Sequence, residues 1–252
     1  MTERMEAERV REEVRKYYAQ QGRLEPEAQS CCEPSPSAQS CCQSYPVELL
    51  EAVPPEVAGI SLGCGNPISA AALQAGESVL DLGSGGGLDC ILAARLVGPA
   101  GRVIGVDMTE EMLARARANV ERAGLNNVEF RQGLIEALPV ESGRVEAVIS
   151  NCVINLSPDK PAVMREIARV LCPGGRLAVA DIVTQGPLQE DLRTMKDSWA
   201  ACVAGALTVD EYTAGLKAAG FVDIVVTPAS GGTLDQVGSG LPFSALITAR
   251  KP

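Results

Sequence analysis

The chain has 252 residues, 46% of them hydrophobic but only 3% aromatic, and carries a net charge of −10. That length holds one large domain, or one domain with appendages, on a core of Val, Ile, Leu and Ala. The acidic balance argues against nucleic acid, whose phosphates need a basic surface. No apolar run of about 18 residues offers a membrane span, and without histidine any chemistry that needs a His base is excluded.

In chain order, residues 3 to 21 predict a charged helix with Val10, Val14, Tyr17 and Tyr18 as its apolar stripe, packed on the main body and stopped by Gly22. This charged start lacks the apolar stretch of a signal peptide, so a cytoplasmic location is expected. Residues 25 to 46 read as a flexible insert, because prolines at 26, 34, 36 and 46 forbid regular structure. Within it Ala28-Gln29-Ser30-Cys31-Cys32 recurs as Ala38-Gln39-Ser40-Cys41-Cys42. Two identical vicinal thiol pairs point to use, since exposed free thiols are a liability. Short helices are expected in 47 to 75, around an open loop that carries Cys64 between Gly63 and Gly65.

The stretch from Val79 to Cys90 then organises everything else. An apolar run reaches Asp81, breaks into Gly83-Ser84-Gly85-Gly86-Gly87 and resumes as helix. That is a buried strand turning sharply into a helix, with backbone N–H groups exposed at the turn. A second strand, Arg102 to Asp107, ends in an acid 20 residues past Gly87, a spacing suited to a ribose diol in a doubly wound sheet. A dinucleotide site shares such turns. Asp81, however, would sit badly against a pyrophosphate and well against a cationic amino-acid ligand. Helices are predicted over 87–97 and 109–123, the second started by Thr109, Glu110 and Glu111. Strands follow at 127–131, 145–150 and 175–181, then helices at 158–170, 187–206 and 208–219, and strands at 221–227 and 243–248. The alternation describes an α/β fold with a terminal hairpin-like strand pair.

Nine cysteines and no histidine shape the chemistry. In a reducing compartment the nine are thiols, and their odd number speaks against a fully paired scaffold. Cys90 falls among Ile91, Leu92 and Ala93 and reads as core; Cys172 reads as a replaceable residue before a Pro-Gly-Gly turn. Cys64, Cys152 and Cys202 fall on a loop, at a strand tip and on an outer helix, each able to reach the crevice. Three such thiols match a soft, thiophilic centre. Zinc is one candidate, weakened by the absence of any Cys-x-x-Cys pair. Trivalent arsenic suits better, because three thiolates leave its lone pair free.

The Asp81–Gly87 turn, Asp107-Met108 and Leu171–Leu177 together resemble the motifs of class I S-adenosylmethionine-dependent methyltransferases. The resemblance implies a doubly wound, mostly parallel seven-stranded Rossmann-like sheet over residues 76–252, preceded by a helical and Cys-rich segment over 1–75. It implies that Asp81, Gly83, Ser84 and Gly85 hold the methionine part of S-adenosylmethionine, Asp107 the ribose, and Met108, Ile135 and Asn151 the rest of the cofactor. Leu134 stands where related enzymes often have an acid for the adenine amine. With Val14–Tyr18, the Cys-Cys loop, Gly63–Pro67, Ser150–Leu156 and Trp199–Ala206 added, the chain is similar to the arsenite methyltransferases. That family implies As(III) held by the cysteines matching Cys152 and Cys202, with Cys64 and one cysteine of the Cys-Cys loop completing the set; Cys64, Cys152 and Cys202 are the expected thiolate ligands. It also implies a disulfide between Cys64 and a loop thiol, with Cys32 and Cys42 the favoured candidates among Cys31, Cys32, Cys41 and Cys42. Arsenite and methylated arsenicals would be the substrates, thioredoxin or glutathione the reductant, and a monomer the working unit. Longer members carry a further C-terminal domain, more than this chain can hold in full. Two alternatives stay open: a methyltransferase of a small organic acceptor of the quinone-biosynthesis type, and a non-catalytic thiol sensor of arsenite.

Overall fold

The molecule is described by a computed structural model over residues 3–23, 45, 47–50, 53, 57, 63–188 and 203–252. Strand β1, Ser78–Leu82, sends Val79 to one face and Leu80 and Leu82 to the other, and all three are fully buried. A strand buried on both faces is the mark of a sheet sandwiched between helices. Its parallel neighbours are β2, Arg102–Asp107, and β4, Val145–Asn151. β3, Val128–Gln132, extends the sheet beyond β2, and β5, Leu171–Thr184, extends it beyond β4. The order is β3-β2-β1-β4-β5-β8-β7, with β7, Val222–Pro228, and β8, Pro242–Arg250, as an antiparallel pair at the far edge. An eighth strand, the two-residue β6 (Leu207–Thr208), pairs with β5 and has no hydrophobic pattern long enough to announce it. Strand order reverses between β1 and β4, so a crevice opens above their carboxyl ends.

Helix α1, Glu3–Arg23, runs through Gly22 rather than stopping there, because that glycine packs closely on Glu111 and Met112. Its buried stripe is Val10 and Val14; Tyr17 points out and is 40% exposed. The short helices α2 (Val47–Leu50) and α3 (Pro67–Ala71) follow, and Asn66 caps α3 by accepting from Ser69 N. Helix α4, Leu88–Val97, and α5, Glu110–Arg122, come after β1 and β2. Helix α6, Lys160–Val170, and α7, Val209–Ala218, cover the face that carries Leu80 and Leu82. Asp159 caps α6, and a reciprocal Thr208–Glu211 box caps α7. β5 is longer than expected because its pairing with β8 continues from Arg176 to Thr184. The helix expected over 187–206 falls mostly outside the described residues, and residues 203–206 form a turn instead. Among the described residues no helix is long and apolar enough to cross a membrane.

Candidate methyl-donor and thiol site

The glycine turn is shaped by what lies over it. Gly83 has φ +65°, and a Cβ there would meet the Val153 side chain at 2.4 Å. Only glycine fits that conformation and that approach together. Ser84 N donates to Val106 O at 3.0 Å, which ties the turn to β2. Gly87 occupies the cap position of α4 with no side chain capping it, so the first N–H groups of that helix are left to the crevice. Asp107, at the tip of β2, spans the turn: Oδ2 accepts from Gly85 N at 3.0 Å and Oδ1 from Thr109 N at 2.9 Å.

These elements line one cavity of roughly 1100 Å³, part of it open to solvent. Asp81, Gly83, Ser84, Gly85, Asp107, Met108, Ile135, Asn151 and Cys152 all line it, so each expected cofactor residue faces the same space. Leu134 and, two residues on, Glu136 do so as well. Arg11, Val14 and Tyr18 of α1 roof it. Arg11 Nε donates to Glu136 Oε1 at 3.1 Å, and Ser157 Oγ donates to the same oxygen at 2.8 Å.

The floor is acidic, and among the described residues no cation pairs with it. Burial pushes the carboxyl groups of Asp81, Asp89 and Asp107 upward; the charge of Asp89 adds to the effect on Asp81, and Asp89 reaches about 6. Among the described residues none of the three has an ion-pair partner. Ser84 Oγ is buried in the turn with no hydrogen-bond partner among the described residues. A ligand bearing an ammonium, a sulfonium and hydrogen-bonding groups answers both features, so the residues present fit S-adenosylmethionine.

Asp89 escaped the sequence reading. Its signal is that of a lone charge in the otherwise apolar start of α4. Tyr45, also unforeseen, donates from its hydroxyl to Asp89 Oδ1 at 2.6 Å. Cys90 is buried as expected but is more than a small hydrophobe, because its Sγ donates to Asp81 Oδ2 at 3.2 Å.

The thiol side adjoins this floor. Asn151, the last residue of β4, accepts through Oδ1 from Cys64 N at 2.9 Å and Gly65 N at 3.3 Å. Its Nδ2 donates to Gly65 O at 2.9 Å, Tyr45 OH at 2.8 Å and Asp89 Oδ2 at 3.3 Å. A Cβ at Gly63 would meet Asn151 Nδ2 at 2.3 Å, so the loop closes on this side chain only without one. Cys152 follows with φ +58°, uncommon for a side chain of its size and the kind of backbone strain that gathers at functional sites. The result corrects the pairing implied by family resemblance: Cys64 is disulfide-bonded to Cys152, with Cα atoms 5.8 Å apart, rather than to a thiol of the Cys-Cys loop. Asn151 is the reason, since it clamps the Cys64 loop one residue from Cys152. Joined in this way the two sulfurs are oxidised and offer no thiolate. Cys202, Cys31, Cys32, Cys41 and Cys42 lie outside the described residues. Asp181, not foreseen, completes the surroundings: one of its oxygens lies within 4.8 Å of both sulfurs. Burial raises its carboxyl to about 7, against backbone N–H groups and Lys160 that hold it down.

Comparison with known proteins agrees with this geometry. Residues 73–220 match the family model described as a methyltransferase domain. The arsenite methyltransferase of Halobacterium salinarum is 50% identical over 202 residues, 77% of this chain and 52% of the relative. That of Aquipseudomonas alcaligenes is 40% identical over 223 residues, 85% of this chain and 62% of the relative. The chain thus spans between about half and three-fifths of the length of these curated relatives. The crystal structure of an arsenic(III) S-adenosylmethionine methyltransferase from Chlamydomonas reinhardtii superposes with a TM-score of 0.61 at 35% identity, covering 86% of this chain and 74% of that one. The fold is that of class I methyltransferases, eight-stranded here when β6 is counted, and the chain belongs to the arsenite methyltransferase family.

Proposed function

We propose that this chain methylates thiol-bound trivalent arsenic at the crevice above β1 and β4. The observation that carries the reading is the placement of Cys152, disulfide-bonded to Cys64, in the same cavity wall as the glycine turn and the buried acids Asp81, Asp89 and Asp107. Asp81, Asp89, Ser84 and the turn would hold the charged end of S-adenosylmethionine, Asp107 its ribose, and Met108 and Ile135 its base. Bound there, the cofactor supplies a methyl group activated on a sulfonium. Cys64 and Cys152, once reduced, hold As(III) as thiolates, and Cys202 is the expected third. The pyramid they make leaves the arsenic lone pair free to take the methyl. Orientation then provides most of the acceleration, which suits a chain without histidine. Methylated arsenic leaves that step formally pentavalent. Closing a dithiol to a disulfide returns two electrons to it, and the bond between Cys64 and Cys152 is the oxidised product such a step would leave. Thioredoxin or glutathione would reopen it by exchange.

A cytoplasmic, monomeric enzyme with residues 76–252 as catalytic body accords with this reading. A methyltransferase of a small organic acceptor would have no use for the thiol pair, and a sensor would bind arsenite without consuming cofactor. Incubation with labelled S-adenosylmethionine and arsenite separates the three. In the same assay Cys152→Ser is expected to lower methylation by more than about a hundredfold, the loss typical when an orienting group is removed, while cofactor binding persists. Full activity in that variant would remove the thiolate cage from consideration.

A further inference from the structure

We propose that the reduced Cys64–Cys152 pair, together with Asp181, forms a binding site for a thiophilic divalent cation of the zinc class. No Cys-x-x-Cys spacing exists in the sequence, yet the fold assembles the equivalent from three distant segments. Sγ of Cys64, Sγ of Cys152 and a carboxylate oxygen of Asp181 all lie within 4.8 Å of one another. Zinc takes thiolate and carboxylate ligands together, at about 2.3 Å and 2.0–2.2 Å, and the two sulfurs need only part from bonding distance to span it. Cα atoms 5.8 Å apart leave that freedom to the side chains.

Asp181 is set up as a ligand. It is fully buried in β5. Oδ1 accepts from Ile182 N at 3.0 Å and Oδ2 from Asn155 N at 3.3 Å, which fixes the carboxylate plane and leaves a lone pair on each oxygen. Outer hydrogen bonds of this kind orient metal ligands. Lys160 is the charged group that faces it from α6, and the Tyr212 hydroxyl faces it from α7. Arsenic(III) has little use for the oxygen, whereas a borderline cation uses it. The ion would release two thiol protons on binding and keep the pair from closing into the disulfide. It would also compete with arsenite, a consequence that rests on the proposed function; the site itself does not.

The test uses the full chain with Cys31, Cys32, Cys41 and Cys42 each changed to Ser, reduced with a phosphine and handled without oxygen. Cobalt(II) is titrated as the probe, then displaced by zinc. The expected result is one equivalent of tetrahedral cobalt with a thiolate charge-transfer band. Cys64→Ser should abolish that band. Asp181→Asn, nearly isosteric, should weaken zinc by about tenfold or more, at least the cost of losing an outer-shell partner, while arsenite binding changes by less than about twofold because arsenic prefers sulfur. Absence of a cobalt–thiolate band, or unchanged zinc affinity in Asp181→Asn, overturns the proposal. Failure of arsenite to displace bound cobalt would count against the arsenite reading alone.

Discussion

The two sides of the crevice are built in opposite ways. The donor side comes from one contiguous stretch, Val79 to Cys90, plus Asp107 at the next strand tip. The thiol side is collected from residues 64, 152 and 181, which no local motif connects. The donor side is a fixed strand–turn–helix whose charge state varies with pH. The thiol side is held as a disulfide, whose proposed working form is the dithiol. Asn151 touches both, holding the Cys64 loop with one end and Asp89 with the other. The contrast shows how the proposed acceptor site could be added to a common methyl-donor fold: Cys64, Cys152 and Asp181 gather beside the strand tips while the glycine turn keeps its own hydrogen bonds.

Removing Asp107 should break the donor side alone, with the largest effect on cofactor affinity expected here. Asp107→Ala frees Gly85 N and takes away the acid proposed to hold the ribose. Loss of a charged hydrogen bond costs about 1.5–3 kcal/mol, so cofactor affinity should fall roughly 10- to 100-fold by calorimetry. Arsenite binding to the reduced thiols should be unchanged; a matching loss of both would mean that the two sides are one unit.

A second effect, on stability as well as affinity, comes from pH, and its sign is unusual. Asp89 rises to about 6 on folding, so the folded state holds its proton more tightly than the unfolded chain. Stability is therefore fully present below the ordinary carboxyl range and is lost as pH climbs through about 6. The loss is on the order of 3 kcal/mol for this group. Asp181, at about 7, extends the window upward. A cationic ligand on the floor reverses the trend, because it binds the ionised form. Affinity for S-adenosylmethionine should rise by up to about tenfold per pH unit below 6 and then level off. Thermal melts and titrations at pH 5 and 7.5 measure both slopes, and Asp89→Asn should flatten them. Equal slopes in that variant and the parent would place the titration elsewhere.

How far each side could be read from sequence follows from its construction. The Asp81–Gly87 turn and Asp107 announce themselves because their spacing is local and their residue types are needed for backbone reasons. Tyr45, Asn151 and Asp89 form a network whose members are 44 and 62 residues away from the acid they serve, and no periodicity links them. Cys64 and Cys152 were visible as candidates through their places on a loop and a strand tip. Their bond to each other was not, since it depends on how Asn151 draws the loop in. Asp181 looked like the end of an ordinary buried strand; only the pairing of β5 with β4 brings it beside the sulfurs.

The smallest expected effect concerns the roof that both sides share. Val10 and Val14 of α1 pack on Cys152 and Leu156, with Cys64 and Met108 at the margin of the same cluster. Burying the two valines contributes about 1.5–3 kcal/mol each and fixes the helix over the crevice. Arg11 adds the polar tether, through an oxygen of Glu136 that Ser157 also engages. The pair is partly screened, with the Arg11 side chain 29% exposed, so its loss should cost about 1 kcal/mol or less. Arg11→Ala should therefore raise the KM for S-adenosylmethionine by no more than about fivefold, with kcat unchanged, because the reacting groups keep their places. A Val14→Ala change should act on the thiol side too, loosening the contact over Cys152 and speeding reduction of the disulfide. If Arg11→Ala lowered kcat while leaving KM alone, α1 would have to take part in orienting the acceptor, and the roof would belong to the thiol side rather than to both.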